Sequence, residues 1–281
     1  QRALANNSVN YKEKPDAGTF MREWLSLYDS KSGERGIYSS LASKHHVNDI
    51  NTRNRDKNGT YIQRRVVRDD FGTNPCSEII LRSREFCNLS EVVLRSNDTL
   101  QSIKDKVRIA TILGTFQSTL TSFKYLSREW SKNCEEERLL GVSLTGIMDC
   151  ALTNGSKGNI KKTLSELREV AVETNEEYAD KLGINRSVSI TCVKPSGTVS
   201  QLVDSSSGIH ARHNPFYIRT VRADNKDPLC KMMKKEGFPN EPDITKPEHT
   251  TVFSFPAKSP KGATCRNDMT AWKQLSLWHT Y

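Results

Sequence analysis

A chain of 281 residues has room for one large domain or two ordinary ones, and 35% hydrophobic beside 27% charged residues allows a sizeable core under a very polar surface. No stretch approaches the roughly 18 to 20 apolar residues that a bilayer-spanning helix needs, and the composition argues against collagen, a coiled coil or a low-complexity chain. Forty-two Lys and Arg against 33 Asp and Glu leave a formal charge of +9, which favours an anionic partner: nucleic acid, nucleotide or acidic protein.

Residues 1–75 are polar and irregular, and 1–70 read as a flank to the domain. Phe20, Trp24 and Leu27 line one face of a short helix, and 48–68 reads as loop or exposed surface. Ile79-Ile80-Leu81 and Val92-Val93-Leu94 predict two strands around a charged bend at 82–85. Ile103, Val107, Ala110, Leu113, Phe116, Leu120 and Phe123 recur every three or four residues and predict a long helix with this stripe in the core. Residues 139–144 are a candidate buried strand. A second helix carries Ile160, Leu164, Leu167, Ala171, Thr174 and Tyr178 on one face, with Gly183 to end it. Further strands are expected at 187–193, 216–221 and 251–255, and helices at 228–236 and 269–281. Alternating strands and helices from residue 77 onward predict an α/β fold with a largely parallel sheet, in one domain.

Seven cysteines (Cys76, Cys87, Cys134, Cys150, Cys192, Cys230 and Cys265) are odd in number and scattered. No C-x-x-C occurs, so a zinc ribbon, a thioredoxin-like motif and a secreted disulfide scaffold all fit poorly, and reduced cytosol is the expected compartment. No metal site is expected. The G-x-G-x-x-G and G-x-x-x-x-G-K-[ST] nucleotide signatures are absent. His210 and His213 read as structural or solvent-facing, and Lys231, Lys234 and Lys235 as a solvated helix face, since no aromatic is interleaved with them.

One segment carries chemistry: Asn74-Pro75-Cys76-Ser77-Glu78-Ile79. In extended backbone, residues i, i+2 and i+4 point the same way, which would bring the Asn74 amide, the Cys76 thiol and the Glu78 carboxylate together. Those are a hydrogen-bonding group, a nucleophile or radical carrier, and a general base. Further on, Pro195-Ser196-Gly197-Thr198-Val199-Ser200 follows a strand with small and hydroxyl residues, whose free N–H groups and Thr198 and Ser200 hydroxyls suit phosphate oxygens.

NPCSEI at 74–79 with EFCNLSEV at 85–92 resembles the finger loop and following strand of ribonucleotide reductases, especially the adenosylcobalamin-dependent class II enzymes. GVSLTGIMD at 141–149, KPSGTVSQLVDSSSGIH at 194–210, YIRTVR at 217–222, FSFPAKSPKGAT at 253–264 and the terminal LSLWHTY resemble the monomeric ribonucleoside-triphosphate reductase branch. The resemblance runs from about residue 6 to 281. It implies about half of a ten-stranded α/β barrel with a central finger loop, residues 74–88 being that loop and the following strand. Cys76 would be the thiyl radical, Glu78 the base for the 3′-hydroxyl, Asn74 a ribose ligand and Cys87 one of two reducing cysteines. Residues 194–200 would be the phosphate loop. The other cysteines read as buried thiols or ordinary surface residues.

The resemblance also implies adenosylcobalamin as cofactor, a ribonucleoside triphosphate as substrate, thioredoxin or a similar dithiol as reductant, and deoxynucleotide effectors acting mainly outside this chain. No membrane or direct nucleic-acid contact is expected. The family's other redox cysteine and its C-terminal cysteine pair are not in the sequence. With Gln1 at one end and a helical run at the other, the chain is expected to be a piece of a longer polypeptide that does not turn over alone. Three rival readings remain: a class I large subunit served by a metal-bearing partner, a basic nucleic-acid-binding module, and an inactive relic.

Overall fold

The computed structural model describes residues 8–31, 36–53 and 63–281. The chain divides into two compact units, Gln1–Val92 with Lys104–Ser143 and Glu166–Pro195, and Val93–Ile103 with Leu144–Ser165 and Ser196–Tyr281.

The first unit opens with regular structure where the polar sequence predicts an irregular flank. β1 (Ser8–Tyr11) pairs in parallel with β2 (Gly36–Ser39), and α1 (Ala17–Ser30) and α2 (Ser40–Arg53) follow them. The strands are half-exposed, so they need no apolar run to form. α1 starts at Asp16, whose carboxylate accepts from the Thr19 N–H at 2.9 Å and so caps the helix that Phe20, Trp24 and Leu27 predict. Phe20 and Trp24 stack on α1 at 6.4 Å between ring centroids, and both are exposed. The loop expected over 48–68 is helix as far as residue 53, and residues 54–62 lie outside the described part.

β3 (Gly72–Thr73) and β4 (Ile80–Leu81) make a short antiparallel hairpin. β5 (Asn88–Val93) pairs with β6 (Leu140–Thr145). The Asn88 N–H donates to the Leu139 carbonyl and the Leu94 N–H to that of Thr145, so the two strands advance together and are parallel. β6 is almost wholly buried, as its apolar sequence predicts.

α3 (Leu100–Gln117) buries Ile103, Val107 and Ala110, but Leu113, Phe116 and Leu120 are exposed, against expectation. The lower half of its inner face is Thr111, Thr115 and Ser118 instead. The two threonine hydroxyls donate to the carbonyls four residues back, each at 2.8 Å, which lets polar residues occupy a buried helix face. α4 (Arg128–Glu137) was not foreseen; α5 (Ile160–Leu182) was, and Gly183 at φ +65° ends it. Asn175 of α5 ties the layer together, donating to Thr115 Oγ1 and Ser187 Oγ and accepting from the Ser187 N–H.

The strand expected at 187–193 is reduced to a single bridge, Val142↔Thr191. The ladder stops because the next N–H, of Lys194, donates to the Ser143 hydroxyl at 2.9 Å, and Pro195 has none.

In the second unit residues 196–200 lead into a short helix, α6 (Thr198–Leu202), where the sequence suggested only a break. β7 (Phe216–Asp224), β8 (Asn240–Pro242) and β9 (Thr250–Lys258) form one antiparallel sheet in the order β7-β9-β8. α7 (Pro228–Lys235) lies between β7 and β8 in sequence, with Asp227 capping it and Pro228 in its first turn. α8 (Ala271–Thr280) ends the chain. Phe253, Ile147 and Met148 are buried in this unit, and Asp149 and Arg212 are buried with them. The α/β content is as expected, but the strands of the described residues lie in four small sheets, two of them antiparallel, rather than in one largely parallel sheet. Among the described residues no helix is long and apolar enough to cross a membrane.

Candidate functional site

Residues 74–79 form the tip of the β3–β4 hairpin. The backbone is not extended there, as the i, i+2, i+4 argument assumed. The Ser77 N–H donates to the Asn74 carbonyl, closing a turn, and Ser77 sits at φ +61°. The turn separates the three side chains. Cys76 is exposed at the tip. Asn74 accepts from the Ile79 N–H through Oδ1 at 3.1 Å, so its carbonyl half closes the loop and its NH2 half remains to donate outward. Glu78 turns inward, with Oε2 shut off from solvent and without a hydrogen-bond partner among the described residues.

Behind the hairpin, the inward Glu78 carboxylate lies within electrostatic reach of Cys87, the residue before β5. Burial, then the Glu78 carboxylate, push the Cys87 thiol up to about 11. Cys87 is therefore a neutral thiol at pH 7, the form that still carries a hydrogen to give. Cys192, expected to be an unremarkable thiol, lies in the same cluster. Burial, then Glu78 and Cys87, push it up to about 12, against the opposing pull of Lys194. Gly141 of β6 makes this possible: a Cβ there would stand 2.5 Å from Leu89 Cδ2, 2.7 Å from Ile79 Cδ1 and 3.0 Å from Cys192 Sγ. Only a residue without a side chain lets those three groups meet.

A buried ionic cluster holds the hairpin's base. Arg65 donates to the Ile80 carbonyl at 2.8 Å and pairs with Glu137 at 2.5 Å and Glu85 at 3.4 Å. Arg82 pairs with Glu85 and Glu136 and donates to the Asn133 carbonyl. Burial and the nearby Glu137 push Glu85 up to about 8, against the two guanidiniums. Since Glu85 lies two residues before Cys87, this cluster also fixes where that thiol enters β5.

The motif at 195–200 lies at the start of α6. Gly197, Thr198 and Val199 are exposed, and the first N–H groups of a helix have no partner inside it. Ser200 departs from expectation: its hydroxyl is buried and donates to the Gly197 carbonyl at 2.8 Å, so it stabilises the turn rather than facing a ligand. Ser196 is also buried, its hydroxyl accepting from the Ser200 N–H. The segment after α6 is held by Arg212, which grips Asp149 through two hydrogen bonds of 2.9 and 2.8 Å and also reaches Asp204. His210 and His213 are exposed, as expected. No group of three or more His, Cys, Asp or Glu side chains among the described residues is placed to hold a metal ion.

Sequence reasoning missed Cys192, Glu91 and Lys194. Strand alternation carried one step past Cys87 would have reached Leu89 and Glu91, and alternation back from Pro195 would have paired Lys194 with Cys192.

An exposed cysteine on a tight hairpin, backed by a carboxylate and a protonated thiol, belongs to a fold with a known counterpart. The chain matches a crystal structure of a B12-dependent (class II) ribonucleotide reductase with a TM-score of 0.72 and 25% identity, over 98% of this chain and 41% of that one. In sequence it is 30% identical over 217 residues to the adenosylcobalamin-dependent ribonucleoside-triphosphate reductase of Euglena gracilis, 77% of this chain and 29% of that protein. It is 31% identical over 218 residues to the enzyme of the same name from Lactobacillus leichmannii, 68% of this chain and 29% of that protein. No family model matches the chain. By sequence and fold the chain belongs with the class II ribonucleotide reductases, and it spans 29% of the length of these two curated relatives.

Proposed function

We propose that this chain carries the radical-site portion of an adenosylcobalamin-dependent ribonucleoside-triphosphate reductase, which makes 2′-deoxyribonucleoside triphosphates for DNA synthesis. The observation that supports this most is Glu78 beside the protonated Cys87 thiol, behind an exposed Cys76. In this reading residues 74–88 are the finger loop and following strand of a ten-stranded α/β barrel, of which the chain supplies about half.

Cys76, as a thiyl radical, takes the ribose 3′-hydrogen. Glu78 accepts the 3′-hydroxyl proton; its Oε2 is shut off from solvent and unpaired among the described residues, so the acceptor is free for the sugar. The Asn74 amide N–H groups hold the ribose hydroxyls. The 2′-hydroxyl leaves as water, and Cys87 with a second thiol outside residues 1–281 gives two electrons and two protons and ends as a disulfide. Thioredoxin or a similar dithiol resets that pair. Pro195, Ser196, Gly197, Thr198, Val199 and Ser200 form a phosphate loop, with the Thr198 hydroxyl and the first N–H groups of α6 as donors and Ser196 and Ser200 bracing the turn.

When bound, adenosylcobalamin supplies the carbon radical that takes the Cys76 hydrogen atom. Cys76, exposed at the hairpin tip, is the residue that would hand over that hydrogen atom, and its exposure fits the demand. Deoxynucleotide effectors act mainly through regions outside the chain, and the setting is the cytoplasm.

The test uses the full-length protein, incubated anaerobically with a nucleoside triphosphate and a dithiol, with and without adenosylcobalamin. Deoxynucleotide that forms only with the cofactor and disappears in Cys76→Ser is the expected result. Product that ignores cobalamin but needs a second protein would move the chain to class I. No product under either condition would overturn the reading.

A further inference from the structure

β5 sends Cys87, Leu89 and Glu91 to one side, by the alternation of a strand. The space over Gly141 is bounded by Leu89 and Cys192 together, so Cys192 lies on that side too. Two residues beyond it, Lys194 reaches the same side and pairs with Glu91, Nζ to Oε2 at 3.0 Å. Lys194 is itself fixed, its N–H on the Ser143 hydroxyl and its Nζ also on the Pro195 carbonyl at 3.1 Å. The Glu91 side chain is only 8% exposed. Its second oxygen, Oε1, is closed to solvent and has no hydrogen-bond partner among the described residues.

A buried carboxylate oxygen without a donor is costly, and folded proteins keep few of them unless a ligand completes them. Glu78 Oε2 is in the same condition, and the segments that carry the two acceptors converge over Gly141, where Ile79, Leu89 and Cys192 come together. A carboxylate accepts and cannot donate, so it repels a phosphate and selects a hydroxyl or an amine. Lys194 sets the choice further: it engages Oε2 and so orients the carboxylate, leaving Oε1 as the one acceptor without a partner among the described residues.

We propose that Glu91, held by Lys194, is a second carboxylate of the nucleotide site, and that its Oε1 accepts a hydrogen bond from a ribose hydroxyl. This rests on the ribonucleotide reading above and adds a sugar contact to it. Glu91 binds, whereas Lys194 acts through Glu91 as a positioning residue.

The experiment is equilibrium dialysis of the full-length protein, in a Cys76→Ser background that prevents turnover. The probes are CTP, and CTP lacking either the 2′- or the 3′-hydroxyl. Glu91→Ala is expected to weaken CTP binding about tenfold or more, the size of a hydrogen bond to a charged group, while binding of one deoxy analogue stays unchanged. Lys194→Met is expected to erase the same discrimination between CTP and that analogue. Should Glu91→Ala fail to fold, Glu91→Gln, which keeps the shape and one acceptor oxygen, is expected to weaken CTP by a smaller factor with the same selectivity. An equal loss for all three nucleotides, or no loss for any, would overturn the proposal. Deoxynucleotide production by the protein with Cys76 intact separates the two failures: if it persists, only the Glu91 contact is wrong.

Discussion

Gly141→Ala perturbs the point where β6, the β3–β4 hairpin and the Cys192 segment meet. The added Cβ would stand 2.5 Å from Leu89 Cδ2 and 2.7 Å from Ile79 Cδ1, whereas carbon atoms rest at about 3.5 to 4.0 Å. Both neighbours are tips of flexible side chains, so each escapes by leaving its rotamer well, at about 0.5 to 1.5 kcal/mol apiece. Against that stands a gain of about 0.5 to 1 kcal/mol for alanine over glycine in a strand. The net expectation is a loss of about 1 kcal/mol at the middle of the range and up to about 2.5 kcal/mol, comparable with other overpacked sites. Urea unfolding of the full-length protein measures it, with Gly72→Ala as the control, since no heavy atom lies within 4 Å of a Cβ at that strand position. The same variant pushes on Cys192 Sγ, 3.0 Å from the new carbon, so alkylation of Cys192 followed by mass spectrometry should speed up. A Gly141→Ala protein as stable as the parent, or a Gly72→Ala control that loses as much, would refute the packing argument.

Two further outcomes follow from the buried charges. Glu85 keeps its proton in the folded protein up to about 8, while its ordinary value is 4.5. Between those values the folded state binds the extra proton, so this group's contribution to stability falls as pH rises, and Glu85→Gln should flatten that slope in urea midpoints taken across the window. A slope unchanged by the substitution would refute the assignment to Glu85. Asp149→Asn removes one of the two carboxylates that pair with the Arg212 guanidinium, whose side chain is 3% exposed, and leaves Asp204 as its partner, so it should cost up to about 3 kcal/mol by urea unfolding. Replacing both residues by leucine should cost less than this single change.

The amino-acid sequence by itself determined the family and singled out the candidate site residues. Asn74, Cys76, Glu78 and Cys87 are legible because they sit in long motifs whose order and spacing survive in one dimension. Several main elements were legible too, because α5 buries residues at helical spacing and β6 is a short run buried almost throughout. What the tertiary structure alone decided is which of these groups meet. Extended geometry would have gathered Asn74, Cys76 and Glu78, but the turn at Ser77 leaves Cys76 outside and sends Glu78 to Cys87. Cys192, Glu91 and Lys194 reach Cys87's side of the sheet through Gly141, whose importance is an absence of atoms that no local pattern announces. The flank at 1–70 was misread for a related reason. Its helices and strands are supported by caps and by pairing across about thirty residues, as Ser8 with Gly36, and pairing between distant segments leaves no period in either one.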